Sequence, residues 1–182
     1  MLTRRHTRIK VMQSAYAFSL VDQGKIQHQL SFFKKSILDI LGLLILQLSL
    51  FKALKLQLVK ESESYQNKYI KYSKLALSPY SLLNNKYFEF IAAHPILLKK
   101  ISSSKLNNWE IEFKLVERLW DEIQKDDDFI AYCNISEPDI TLQQKIIVKI
   151  FENKIASAAY LHQFYEDHKL TWLDDLPVVN TF

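Results

Sequence analysis

Apolar residues recur at spacings of three and four along most of this chain, the repeat of a helix with one buried face. The longest run lies between Lys25 and the Glu61–Tyr65 region. There Leu30, Phe33, Ile37, Ile40, Leu44, Leu48, Phe51, Leu54 and Leu58 keep the helical step, and Leu43, Leu46 and Leu50 add a second apolar side. A shorter helix is predicted from an N-cap at Thr3 to about Asp22, with Gly24 as its stop. At about 100° per residue, Ile9, Met12, Tyr16 and Leu20 fall on one side of it, flanked by Val11, Ala15 and Phe18. His6, Lys10, Gln13 and Ala17 fall opposite. The apolar side is expected to anchor this helix in a bundle, leaving its polar first turns to project outward.

Further along, prolines punctuate the pattern, because the residue before proline avoids the helical region. Ser78-Pro79 and His94-Pro95 mark such breaks. Short helices are predicted around Asn84–Ala93 and Pro95–Ile101, and Ser102-Ser103-Ser104 reads as a loop. A strong helix follows from about Asn107 to Lys125, with Trp109, Phe113, Val116 and Trp120 as a core stripe beside Leu115, Leu119 and Ile123. A short one begins at Asp126 and runs through Cys133. Asp139 or Thr141 caps the next, with Leu142, Ile146, Ile150 and Ile155, continuing or bending into Tyr160–His168. Pro177 suits the first turn of one more helix. The fold class that results is all-α, a multi-helix bundle with a basic N-terminal helix. It reads as a single helical domain over 1–182, residues 1–22 being the basic helix and 23–182 the rest of the bundle.

Composition narrows the chemistry. Hydrophobic residues make up 48% and aromatics 13%, enough for a core, while glycine occurs only twice. Two glycines cannot build a Rossmann or P-loop phosphate cradle. The single cysteine, Cys133, rules out an intrachain disulfide and a four-cysteine zinc site, and suits a reducing cytoplasm. No two of the five histidines stand at His-x-x-x-His spacing, and Asp126-Asp127-Asp128 lacks the alternating ligands and glycine of a calcium loop. Adjacent acids at a helix start are favoured there by the helix dipole. No catalytic residue, metal site or cofactor emerges, and the chain reads as a non-enzyme. The apolar stretch Ile37–Leu58 contains Asp39, Gln47, Lys52 and Lys55, so a soluble helix is preferred there to a membrane span.

Charge is the informative quantity. The net charge is +4 with a pI near 9.0, and it is unevenly placed. From Met1 to Val21 every charged residue is basic: Arg4, Arg5, Arg8 and Lys10. Cations in a first helical turn oppose the macrodipole, so a binding role explains them better than stability does. Arginine offers a planar donor fork to phosphate and can stack on bases. His6 and Gln13 add donors and acceptors at the margin. The candidate nucleic-acid-binding set, for RNA or DNA, is therefore Arg4, Arg5, His6, Arg8, Lys10 and Gln13, the alternative being a plainly solvated helix end.

The stretch Arg4-Arg5-His6-Thr7-Arg8-Ile9-Lys10-Val11-Met12-Gln13-Ser14-Ala15-Tyr16 resembles the opening of NusB-type transcription antitermination factors. In these an arginine-rich helix start leads into an apolar segment carrying a glutamine and a tyrosine. Arg4, Arg5 and Arg8 match the arginines, Gln13 and Tyr16 the pair that follows. Ala15 replaces a usual leucine. The form is closest to long, Bacteroidetes-like members, to which Trp172-Leu173-Asp174-Asp175-Leu176 is also similar. The resemblance implies binding of boxA-type ribosomal RNA leader elements. It also implies assembly with the NusE-type ribosomal protein and the RNA polymerase elongation complex. The family's C-terminal motifs do not occur here, so the chain reads as an N-terminal part of such a protein. Two other readings stay open: a helical interaction module that binds a partner or a second copy through Ile37–Leu58, and a protein resting on a membrane surface through its basic helix.

Overall fold

Helix formation in this sequence is set largely by side chains that cap or satisfy the backbone. The computed structural model describes residues 4–20, 26–66, 78–104 and 108–181, and these are helical with no strand among them. The first helix, α1, spans Arg4–Ser19, and α2 spans Ile26–Gln66. Thr3, Asp22 and Gly24, expected to delimit α1, lie outside the described residues. Then come α3 (Ser78–Leu83), α4 (Lys86–Ala92), α5 (Pro95–Ser104), α6 (Phe113–Gln124), α7 (Asp127–Cys133), α8 (Ile140–Ile150), α9 (Ala159–His168) and α10 (Thr171–Val179).

The chain divides into two compact units, Met1–Leu44 with Phe164–Phe182, and Ile45–Gln163. The second unit holds most of the buried apolar side chains. Within it the C-terminal part of α2 contributes Leu46, Leu50, Phe51, Leu54 and Leu58, all essentially inaccessible. Ile45 packs with Leu97 and Ile101 of α5. From α6 come Val116, Leu119, Trp120 and Ile123, and the Trp120 ring meets Phe129 of α7 edge-on. Serines inside these helices are satisfied locally: the Ser49 hydroxyl donates to the Leu46 carbonyl at 2.6 Å and that of Ser62 to Val59 at 2.8 Å. Such back-bonding lets a polar residue sit in an apolar helix. It also explains Ser102-Ser103-Ser104, which close the last turn of α5 instead of forming a loop. The hydroxyls of Ser102 and Ser103 donate to the Leu98 and Lys100 carbonyls.

Asn85 ties three elements of this unit together. Its side-chain oxygen caps α4 by accepting from the Tyr87 and Phe88 amides, and its Nδ2 donates to the Tyr132 hydroxyl at 3.1 Å and the Gln143 carbonyl at 2.9 Å. Asp126 and Asp139 cap α7 and α8 in the same way. The acid run at Asp126 is thus a helix start whose charges are also paired, Asp126 with Lys154 and Asp128 with Lys149.

Two sequence expectations shift. The stripe Trp109, Phe113, Val116, Trp120 is not one helical face: Trp109 sits in a separate 3-10 turn (Asn108–Glu110), buried and donating to Ser49 Oγ at 2.7 Å, while Phe113 is exposed. Pro177 lies inside α10 rather than in its first turn. Its ring faces the exposed side, where the bond it removes costs least. Between α8 and α9 the backbone widens into one π turn, Phe151–Ile155, closed by Ala156 N–H donating to the Phe151 carbonyl at 2.7 Å.

The first unit contains α1, α2 as far as Leu44, the end of α9 and α10. Ile40, Leu43, Tyr165, Trp172, Leu176 and Val179 are buried in it. The Trp172 indole donates to the Asp39 carbonyl at 3.1 Å, and the Asp39 carboxylate pairs with Lys169, so α10 and the link that leads into it are both held to α2. By length and composition alone, α2 could cross a membrane. An eighteen-residue stretch of it has mean hydropathy 2.0, and half of that stretch is buried inside the fold.

Candidate nucleic-acid interface

The basic helix sits the other way round from the arrangement its apolar stripe suggests. Ile9, Met12, Tyr16 and Leu20, expected to anchor α1, are exposed, Met12, Tyr16 and Leu20 at 65, 66 and 68%. The opposite side turns inward: His6, Gln13 and Ala17 are half-buried, and Lys10 is the buried residue of the helix, 5% exposed. Lys10 Nζ meets both carboxylate oxygens of Asp175 in α10, at 2.6 and 2.9 Å. A charge that has left water needs such a partner, because the desolvation cost is several kcal/mol per ion. Burial pushes the Asp175 carboxyl above its ordinary range, against the pull of Lys10, with Asp174 and Asp39 adding to the rise.

Lys10 therefore leaves the set of expected RNA contacts. Its ammonium is committed to Asp175 and cannot reach a phosphate in solvent. It is a fastener for the helix, the role expected of Ile9, Met12, Tyr16 and Leu20. Nothing in the sequence near Lys10 marks this, since its partner lies 165 positions away.

Arg4, Arg5 and Arg8 are exposed, and among the described residues none of them forms an ion pair. No acid stands in α1. Arg4 and Arg8 lie one turn apart with Thr7 between them, lining an open groove of about 430 Å³ that continues along Val11 and Met12. Arg5 lies further round the helix. His6 and Gln13, half-buried on the inward side, border this patch rather than forming its centre.

Other residues with possible chemistry are accounted for structurally. Burial raises the Cys133 thiol above its usual range, against a hydrogen bond from Ser81, which leaves little thiolate at neutral pH. His162 Nε2 lies 2.8 Å from the Ala156 carbonyl, and the His168 ring stacks on Trp172. Among the described residues no group of three or more His, Cys, Asp or Glu could hold a metal ion. No protein-family model, curated protein or solved structure matches the chain.

Proposed function

We propose that this chain is an RNA-binding factor of the NusB kind, which engages boxA-type leader RNA and joins a NusE-type protein at the elongating polymerase. One observation carries the reading: three exposed arginines crowd the first turns of a helix that holds no acid, while its fourth cation is spent on fixing that helix. Arginines placed against the helix dipole gain nothing locally, and their donor forks suit phosphate and stacked bases. Arg4, Arg5 and Arg8 are the contacts, with His6 and Gln13 at the edge. The work is binding and assembly in the cytoplasm, with no catalytic step.

Replacing Arg4, Arg5 and Arg8 together by Ala is expected to weaken binding of a boxA-like single-stranded RNA at least tenfold at low salt. Each lost phosphate contact flattens the slope of log K against log salt by about 0.7, so the triple variant should be shallower by roughly 2. A salt-titrated mobility-shift assay reads both quantities. Affinity and slope equal to those of the wild type would sink the proposal. The exposed apolar residues of α1 favour a second reading, a helical interaction module without nucleic-acid binding, and that outcome would support it.

A further inference from the structure

An apolar trough of about 330 Å³ runs along α1 and the start of α2. Val11, Ala15 and Phe18 form one wall, and Ile26, Leu30 and Phe33 form the other. On each helix these positions step by three or four residues through two turns, giving a channel about 10 Å long, the spacing that receives ridges from a third helix. Ser14 and Ala15 are small enough to let a backbone approach closely. Gln29, also in the wall, has a buried Oε1 with no hydrogen-bond partner among the described residues. The trough shares Val11 with the groove that Arg4, Thr7 and Arg8 line, so its apolar channel opens onto a cationic end.

We infer that this trough docks an amphipathic helix of a protein partner, with apolar residues on successive turns and carboxylates in one terminal turn that meet Arg4 and Arg8. Charge complementarity selects this occupant. Besides Lys10, which is paired with Asp175, the two helices carry Arg4, Arg5, Arg8, Lys34 and Lys35 and no acid before Asp39, which is already paired with Lys169. A second copy of the chain would bring the same cations to the same trough. A lipid surface suits a helix whose cations line one face and whose apolar side is convex. Here the arginines gather at one end, and the trough, unlike the exposed Met12, Tyr16 and Leu20 side of α1, is concave. RNA finds almost no donor in the channel itself.

The test is a displayed library of helical peptides, about 16 residues long, with apolar residues fixed on successive turns and all other positions randomised. It is selected against the full chain. Enriched peptides are expected to carry two or more Asp or Glu in one terminal turn. The best of them, followed by fluorescence anisotropy, should bind at least about tenfold more weakly to Ala15→Gln and to Leu30→Asn. Both substitutions are uncharged and at exposed positions, and circular dichroism checks that each variant keeps its helices. All the arginines remain, so RNA binding should persist in both; failure of the RNA proposal would appear in the arginine variants and not here. The inference is overturned by no enrichment, by enrichment without acids, or by undiminished binding to both variants. It is equally overturned if these variants instead abolish self-association or binding to phosphatidylglycerol vesicles, since another occupant then fills the trough.

Discussion

Lys10 and Asp175 place opposite charges out of water in a unit whose other buried side chains are mostly apolar. Attraction at 2.6 Å offsets the desolvation of the two ions, but it gives neither residue a way to stand alone. Lys10→Met should strand the Asp175 carboxylate, and Asp175→Leu should strand the ammonium; either is expected to cost about 3–5 kcal/mol. The double variant should recover most of that loss, because two apolar side chains of similar volume need no partner. Urea unfolding of the four proteins forms a double-mutant cycle, and additive losses would show that the pair is not coupled. A second carboxylate behaves in the opposite sense with pH. Burial raises Asp126, but the hydrogen bond from Lys154, the Phe129 and Asp128 amides and the Lys154 charge outweigh it and hold its carboxyl below 3.8. A depressed folded pKa contributes stability in full above the unfolded value and loses it as pH falls through the folded one. The stability gap between the wild type and Asp126→Asn should therefore narrow as pH falls below the ordinary carboxylate range. A gap that stays constant into acid would refute the assignment.

At the scale of elements, capping decides where helices begin, and Asn85 carries the heaviest load. Asn85→Ala removes a cap worth about 0.5–2 kcal/mol, and it leaves the Tyr132 hydroxyl and the Gln143 carbonyl short of a donor inside the second unit. A loss of about 2–4 kcal/mol is expected, while Asp139→Ala, at an exposed cap, should cost about 1. Thermal unfolding of the two variants would rank them, and equal losses would mean that the buried links of Asn85 add nothing. Much of this layer was legible in the residues. Asp139 as a cap, the start of α7 at Asp126 and the long repeat of α2 all follow from local chemistry and period. What was not legible depends on distant partners. An amphipathic pattern states that α1 has an apolar side, not that this side faces the core, and here Asp175 captures the polar side instead. Trp109 shows the same limit: its indole is drawn to Ser49 and Leu46 of α2, outside the helix to which its spacing with Phe113 and Val116 pointed. Of the candidate interface, the three arginines were readable as exposed cations, while the withdrawal of Lys10 and the trough beside Val11 were not.

For the whole molecule, stability is unevenly distributed, and that distribution bears on function. Residues 45–58 of α2 bury Leu46, Leu50, Phe51, Leu54 and Leu58 together, so their amides should exchange only through global opening. By contrast α1 has one buried side chain, Lys10 in its ion pair with Asp175, and several exposed apolar ones among the described residues. Elements with few buried apolar contacts open locally at low cost, and binding surfaces are drawn from them. Hydrogen exchange should show α1 amides opening well before those of residues 45–58. Ligands should then raise this protection in distinct places. A boxA-like RNA is expected to slow exchange in the first two turns of α1, around Arg4, Arg5 and Arg8. An acidic amphipathic peptide should slow it along 11–18 and 26–33, the two walls of the trough, and overlap the RNA footprint only beside Arg4 and Arg8, which its carboxylates meet. Uniform protection of α1 and residues 45–58 without ligand would mean that α1 is held as firmly as the core of the second unit. Identical footprints for the two ligands would mean that they compete for one surface, and a factor assembling RNA and protein on the same helix could not then bind both at once.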